Sequence, residues 1–206
     1  MKEDQDAGSG VNQIEAFIVV AIAASAGGLT AISQLLSSLP ADFPAAIVVV
    51  QHLDPHHRSL TAEILSRNTS LQVKQAEAGD LLKPGTVYVA PPNQHLLVNP
   101  DSSLSLTQSE LVHFVRPSAD LLFESVAASQ KERAIAVVLT GTGSDGSMGV
   151  QAIKKMGGKV IVQSEESAEF TGMPIAAIHT KSVDYVLPLN EIAATLVMLV
   201  TKGKSI

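Results

Sequence analysis

One stretch of the chain, residues 17–36, constrains the fold most, because it joins a buried strand, a serine and a helix. It reads FIVVAIAASAGGLTAISQLL. The opening apolar run, rich in β-branched residues, is typical of a strand covered on both faces of a parallel sheet. Later apolar residues recur at helical spacing: Leu29, Ile32, Leu36 and Leu39. Ser25 is therefore predicted at a strand-to-helix corner, where Gly27 and Gly28 permit a tight turn.

Three interpretations of Ser25 stay open from these residues alone. A nucleophile on a sharp strand–turn–helix needs small residues two positions before and after it, and Ala23 and Gly27 meet that need. A phosphate-binding loop is the second interpretation, because a helix N-terminus follows, although the Ser25 loop matches neither complete nucleotide-binding fingerprint. In the third, the serine only caps the helix, since serine is a preferred N-cap residue.

Buried apolar runs recur along the chain and alternate with helical patterns, which predicts an α/β fold with a doubly wound, mostly parallel sheet flanked by helices. The runs are AAIVVV (45–50), LQVKQA (71–76), AIAVVLT (134–140), KVIVQS (159–164) and VDYVLP (183–188). Residues 86–108 differ, because short alternating segments are separated by Pro, Asn, Asp and Ser. This pattern predicts a β-hairpin insertion on the sheet.

Composition bounds the function classes. A chain of 206 residues, 46% of them hydrophobic, can form one substantial core. Residues 1–14 are polar and aperiodic, so we interpret them as a disordered tail or linker and place one domain at 15–206. With no cysteine, no apolar run long enough for a membrane span and a net charge of −6, we expect a cytoplasmic protein that neither enters membranes nor binds nucleic acid.

Two more chemically active residues follow buried strands. The strand at 45–50 is followed by Gln51 and His52, and the strand at 134–140 leads into GTGSDGSMG, a glycine-rich loop around Asp145. Each has a simpler explanation, an Asp N-cap in the case of Asp145. Their shared place with Ser25 at the carboxyl edge of one sheet favours a joint role. A serine hydroxyl needs a nearby base, and a carboxylate fixes the tautomer of that base.

The chain resembles the catalytic domain of the CheB family of chemotaxis protein-glutamate methylesterases from about residue 17 to residue 200. Six motifs in order carry this resemblance: ASAGG (24–28), QH (51–52), PGTVYVAPPNQHL (84–96), RPSADLLF (116–123), LTGTGSDGSMG (139–149) and GMP (172–174). The resemblance implies a nucleophile at Ser25, a general base at His52 and an orienting carboxylate at Asp145. It also implies a backbone oxyanion-hole donor at Thr142, where the family usually has methionine.

The implied activity is hydrolysis of glutamate γ-methyl esters on chemoreceptor helices with release of methanol, without a cofactor, and glutamine could enter the same path with release of ammonia. The implied partners are the methylated receptor and a receiver or methyltransferase protein. An esterase-like binding or regulatory module without turnover is the alternative, as is an esterase of another signalling pathway, because QHLDPHH, GTGSDG and SAEFTGMP look closer to members outside the receiver-linked group.

The remaining histidines and one arginine are further candidates for site residues. His52, Asp54, His56 and His57 are close in sequence, but a metal site needs ligands converging from elsewhere, and we expect no metal. We expect three further histidines to be structural or exposed, with a position at the border of the cleft as the alternative for the first of them: His95, His113 and His179. Arg116 is predicted either to hold a carboxylate or to pin a loop.

Overall fold

The computed structural model describes residues 16–52 and 60–202. Their strands are β1 (Ile18–Ala24), β2 (Ala45–Gln51), β3 (Gln72–Gln75), β4 (Thr86–Val89), β5 (His95–Val98), β6 (Leu104–Thr107), β7 (Ala134–Val138), β8 (Lys159–Gln163) and β9 (Tyr185–Leu187). Their α-helices are α1 (Gly28–Ser37), α2 (Thr61–Ser66), α3 (Ala119–Gln130), α4 (Ser147–Lys155), α5 (Gly172–His179) and α6 (Leu189–Lys202).

Seven strands form one parallel sheet in the order β3-β4-β2-β1-β7-β8-β9, and β5 and β6 form a separate antiparallel hairpin. The predicted doubly wound α/β fold with a hairpin insertion is confirmed. The predicted range of the insertion, residues 86–108, was too long, because residues 86–89 pair in parallel with β2 and β3. Every residue of β4 is buried, as expected for an interior strand of a parallel sheet.

Helices cover both faces of the sheet, and each face has its own core. One core contains apolar residues of α3, α4, α5 and the hairpin, with Phe123 among its largest buried side chains. The other contains apolar residues of α1, α2 and α6, including Ile32 and Leu196. Successive side chains of β1 point to opposite faces of the sheet, so Ala23 belongs to the first core and Ala24 to the second.

The order of the strands determines where the loops meet. β1 lies at the centre, with β2 on one side and β7 on the other. The crossover after β1 leads to β2 on one side and the crossover after β7 leads to β8 on the other, so a topological switch point lies between the carboxyl ends of β1 and β7, where open α/β sheets bind ligands. The loops after β1, β2 and β7 therefore meet at one edge, which brings together the three segments singled out from sequence.

Most predicted elements start and end within two residues of the observed ones. Ser118 is the N-cap of α3, and its side chain accepts a hydrogen bond from the Leu121 N–H. The predicted tail at 1–14 lies outside the described residues. Within 16–52 and 60–202, every helix is too short or too polar to cross a bilayer.

Gly149 generates a prediction about the packing of α3 on α4. A Cβ at this position would lie 2.5 Å from Phe123 Cβ and 3.0 Å from the Asp120 carbonyl oxygen. Alanine gains about 1 kcal/mol in helix propensity over glycine, but it would force the two helices apart. We expect Gly149→Ala to lower the free energy of unfolding by about 1 to 3 kcal/mol. Urea denaturation measures the change, with the exposed Lys155→Ala as a control; equal stability of both variants would contradict the prediction.

Candidate active site

The register of the sheet places Ser25 and His52 side by side. Ala24 pairs with Gln51 in the parallel ladder between β1 and β2, so Ser25 and His52 are the next residues on neighbouring strands. The His52 N–H donates to the Ala24 carbonyl at 3.1 Å, and the Ser25 N–H donates to Thr140, after β7, at 3.0 Å. Both residues line one cleft of about 490 Å³, together with residues 26–30 and Gln51.

The Ser25 side chain does not cap the helix that follows β1. The N-cap of α1 is Gly27, at φ 73°, and no side-chain cap bond is made. The interpretation of Ser25 as a helix cap is therefore wrong, because the serine lies two residues too early. Gly28 permits the close approach of α1 to the sheet, since a Cβ there would lie 2.6 Å from Ala24 Cβ. These two glycines explain why a turn this tight follows a buried strand.

His52 contacts Asp145 through its outer ring nitrogen. His52 Nε2 lies 2.8 Å from Asp145 Oδ2, and the two side chains are 12% and 4% exposed. Because an ionised carboxylate only accepts hydrogen bonds, Nε2 carries the proton and Nδ1 is the basic nitrogen of the neutral ring. No hydrogen bond joins the Ser25 hydroxyl to the His52 ring, although both residues are described. Such contacts often tighten only when substrate is bound.

The Asp145 carboxylate binds the N-terminus of a helix other than its own. The interpretation of Asp145 as the N-cap of α4 is wrong, because Gly146 occupies that position at φ 98°. Asp145 Oδ2 instead accepts the Ala119 N–H at 2.6 Å, and Oδ1 accepts the Asp120 N–H at 3.1 Å and the Ser118 hydroxyl at 2.9 Å. These contacts join the loop after β7 to the first turn of α3.

The charge of Asp145 is favoured by these partners. Burial alone would raise the pKa of Asp145, but hydrogen bonds from His52, Ala119 and Asp120 outweigh burial and hold the pKa below its ordinary value. The positive end of the α3 dipole also favours a negative charge at this point. The Asp145 carboxylate of the folded protein is therefore ionised near neutral pH.

The loop after β7 also contains the predicted backbone donor. The Gly141 N–H donates to the Phe170 carbonyl at 2.9 Å, whereas the Thr142 N–H has no acceptor in the described part of the chain. The Thr142 side chain is exposed. Gly141 lies against the nucleophile candidate, because a Cβ at this position would lie 2.9 Å from Ser25 Cβ and would clash with Met173 Sδ.

Residues 141–146 follow the G-x-G-x-x-G spacing of dinucleotide sites, but the environment differs. The fifth residue of the motif is Asp145, whose ionised carboxylate would repel a phosphate at the same loop. The motif opens α4, and the Gly149 N–H in the first turn of that helix already donates to Asp120 Oδ1 at 2.7 Å. The geometry therefore favours a Ser–His–Asp arrangement over a phosphate site.

Sequence reasoning missed what Gln51 and Ser118 contact. Gln51 is buried, and its Nε2 donates to the carbonyls of Ser25 at 2.7 Å and His52 at 3.0 Å. It thus joins the loops after β1 and β2. The signal for Gln51 was its polarity at the end of an apolar strand. Serine is a preferred helix N-cap residue, but nothing in the sequence around Ser118 indicates that its hydroxyl also reaches Asp145.

The other candidates lie where the structure gives them plainer roles. Arg116 pins a loop, because Nε and Nη2 donate to Asn93 Oδ1 and Nη1 donates to two carbonyls of residues 108–109. His113 and His179 are exposed. Asp54, His56 and His57 lie outside the described residues, and within the described part no three metal-ligating side chains converge.

A second buried carboxylate beside the site generates a prediction. Burial raises the pKa of Asp120 above its ordinary value of 3.8, and the charge of Asp145 adds to the increase, while hydrogen bonding from Gly149 opposes it. The folded protein thus binds a proton at Asp120 more tightly than the unfolded chain, so stability falls as pH rises through the interval between 3.8 and the folded pKa.

We expect Asp120→Asn to be more stable than the wild type at pH 7 and to lose that advantage as the pH falls toward 4, because Asn keeps the acceptor for the Gly149 N–H without the buried charge. Thermal unfolding over a pH series measures this, with the exposed Asp42→Asn as the control. A variant less stable than the wild type at pH 7 would contradict the prediction.

The chain is similar to known proteins over most of its length. A family model described as CheB methylesterase matches residues 20–196. A putative protein-glutamate methylesterase/protein-glutamine glutaminase of Leptospira interrogans is 42% identical over 180 residues, which cover 87% of this chain and 93% of that protein. Myxococcus xanthus FrzG, a protein-glutamate methylesterase, is 42% identical over 88% of this chain and 54% of its own length.

A solved structure gives the same fold. The crystal structure of the Thermotoga maritima CheB methylesterase catalytic domain matches with a TM-score of 0.86 at 38% identity, covering 90% of this chain and all of that one. The relatives differ in length: this chain spans nearly all of the Leptospira protein but 52% of the group 3 operon enzyme of Rhizobium meliloti. With the family model matching most of its residues, the chain belongs to the CheB methylesterase family.

Proposed function

We propose that this chain is a serine esterase that hydrolyses glutamate γ-methyl esters on chemoreceptor-type proteins, with Ser25 as nucleophile, His52 as general base and Asp145 as the orienting carboxylate. The observation that carries the proposal is the 2.8 Å contact of His52 Nε2 with a buried, ionised Asp145. Ser25 follows the neighbouring strand, and its hydroxyl does not cap the next helix. The names of the related methylesterases support the same substrate class.

The first step is acylation. Ser25 Oγ attacks the carbonyl carbon of the ester, and His52 Nδ1 takes the hydroxyl proton. The ring then carries a positive charge, which Asp145 stabilises through the bond from Nε2. This arrangement uses the ring in the sense opposite to the serine proteases, where the carboxylate binds Nδ1. The chemistry is the same, because either ring nitrogen can act as the base when the other donates to a carboxylate.

The tetrahedral intermediate places a negative charge on the former carbonyl oxygen. Two backbone donors support its stabilisation: the N–H of Ala26, directly after the nucleophile, and the N–H of Thr142, neither of which has an acceptor in the described part of the chain. Protonated His52 then gives its proton to the departing methoxide, and methanol leaves. The acyl group remains on Ser25.

Deacylation repeats the sequence with water. His52 Nδ1 takes a proton from the attacking water, the second tetrahedral intermediate collapses, and Ser25 Oγ recovers its proton as the γ-carboxylate departs. A glutamine side chain could follow the same path with release of ammonia, which matches the glutaminase half of the relatives' names. The amide is the harder substrate, because its leaving group must be protonated.

The partners remain proposals. We propose a methylated receptor helix as the protein substrate, and a receiver or methyltransferase protein as the regulatory partner. A binding module without turnover is the second candidate function, but no observation favours it, since the nucleophile, base and carboxylate candidates are all present. The cytoplasmic location and the assignment to chemotaxis stay predictions.

Ser25→Ala tests the proposal. We expect methanol release from a peptide containing glutamate γ-methyl ester to fall to background, because the nucleophile is removed. Stability should change by less than about 1 kcal/mol, since the hydroxyl caps no helix. Ser37→Ala, at the far end of α1, is the matched control and should keep full activity. A folded Ser25→Ala protein with most of its activity would end the serine-esterase proposal, and a chelator would then test metal catalysis.

Two substitutions at Thr142 test the backbone donor. Thr142→Met keeps the N–H and leaves the fold undisturbed, because the side chain is exposed, so we expect turnover close to that of the wild type. Thr142→Pro deletes the N–H, and we expect a loss on the order of a hundredfold in kcat. Circular dichroism must show that the proline variant is folded before its kinetics are interpreted. Small, equal effects of both substitutions would mean that the oxyanion is stabilised elsewhere.

A further inference from the structure

His95 is a buried histidine that the proposed reaction does not use. It opens β5 of the hairpin and is 0% exposed. Its Nδ1 accepts the Ser118 N–H at 3.1 Å, and its Nε2 lies 3.0 Å from the Glu110 carbonyl oxygen. A backbone N–H can only donate and a carbonyl can only accept, so Nδ1 is unprotonated and Nε2 carries the hydrogen. Both ring nitrogens are therefore occupied, and the ring is neutral.

The Ser118 N–H has a particular need for this acceptor. Ser118 is the N-cap of α3, and the first N–H groups of a helix have no partner within the helix. Ser118 is also fully buried, so an unbonded N–H there would cost stability. The acceptor comes from another part of the fold, because His95 lies 23 residues earlier in the chain.

The same turn of α3 holds the carboxylate of the proposed triad. Ser118 donates its hydroxyl to Asp145 Oδ1, and the next two N–H groups, of Ala119 and Asp120, also donate to Asp145. The position of this turn therefore decides where the carboxylate lies, and so whether Oδ2 stays 2.8 Å from His52 Nε2. A continuous path of hydrogen bonds runs from His95 through residues 118–120 and Asp145 to His52.

We propose that His95 is a positioning residue of the esterase. It acts through the Ser118 N–H to hold the first turn of α3 in place, and this turn keeps Asp145 in contact with His52. This inference rests on the proposed function of Ser25, His52 and Asp145. The hairpin that carries His95 is firmly attached to α3, because the Val98 N–H also donates to Ser125 Oγ at 3.0 Å. His95 therefore belongs to a hairpin that is bonded to α3 at two points.

The environment of His95 keeps its ring in the accepting form. Burial lowers the pKa of His95 below its ordinary value, and the nearby charge of Arg116 lowers it further, while the Glu110 carbonyl and the charge of Asp145 oppose this. A protonated ring would present a hydrogen at Nδ1 to the Ser118 N–H and break the contact. The neutral form is the only one that fits both partners.

Two substitutions at His95 separate its two contacts. In His95→Asn, Oδ1 takes the place of Nδ1 and keeps the acceptor for the Ser118 N–H, while the contact to the Glu110 carbonyl is lost. In His95→Gln, Nε2 takes the place of the outer nitrogen and keeps the donor to Glu110, while the Ser118 N–H loses its acceptor. Each variant gives up one hydrogen bond to one backbone group, so each serves as the matched control of the other.

The measurement is kcat and KM for a peptide with glutamate γ-methyl ester, with the Tm of each variant. We expect His95→Gln to lower kcat roughly 10- to 100-fold, because a small misplacement of a catalytic group has a cost of this order, with KM within about twofold. We expect His95→Asn to keep kcat within about threefold. Equal losses in kcat, or a larger loss in His95→Asn, would overturn the proposal.

A double-variant experiment guards against a purely structural explanation. If His95 acts through Asp145, His95→Gln should cost little further turnover in an Asp145→Asn background, because residues of one unit are not additive. Independent losses that multiply would overturn the proposal. Val200→Ala, in the opposite core, reports the effect of destabilisation alone. If Ser25→Ala keeps its activity, the proposed function fails; if Ser25→Ala is inactive but the His95 pair behave alike, only this inference fails.

Discussion

The buried carboxylate of Asp145 is the interaction on which the arrangement of the site depends. A charge taken out of water is strongly unfavourable unless it is well bonded, and this one receives two N–H groups, one hydroxyl and one imidazole. These donors come from the loop after β2 and the first turn of α3, whereas the carboxylate belongs to the loop after β7. A single side chain therefore fixes three segments relative to one another, and its ionised state follows from the bonds that it receives.

Small residues at the edge of the sheet allow the segments of the proposed site to approach one another closely. Gly28 packs against Ala24 so that α1 can begin directly above the strand, and Gly141 leaves room for Ser25 beside Met173. The parallel register then places Ser25 next to His52 on the neighbouring strand. The buried apolar strands hold the turn rigidly, and the glycines allow its neighbours to pack closely, as a nucleophile on a tight turn requires.

The hairpin insertion has a role beyond covering one core. Through His95 it reaches the N-cap of α3, and through Arg116 the loop that follows it is pinned to Asn93. The hairpin lies outside the parallel sheet, yet a single residue, Ser118, connects it to the proposed carboxylate of Asp145.

Sequence alone predicted most of the elements and the residues of the proposed site. Apolar runs and helical spacing depend on neighbouring residues, so β1, β2, β7 and the helices were predictable, and the rule that parallel strands share a carboxyl edge brought Ser25, His52 and Asp145 to one place. Tertiary structure decided the rest. Only the fold shows that β4 is an interior strand, that Gly27 and not Ser25 begins α1, and that Asp145 binds the N-terminus of α3 and not that of α4. The reason is physical: the contact of His52 with Asp145 spans 93 residues, and which helix docks against a loop depends on the packing of whole layers, which no local pattern encodes.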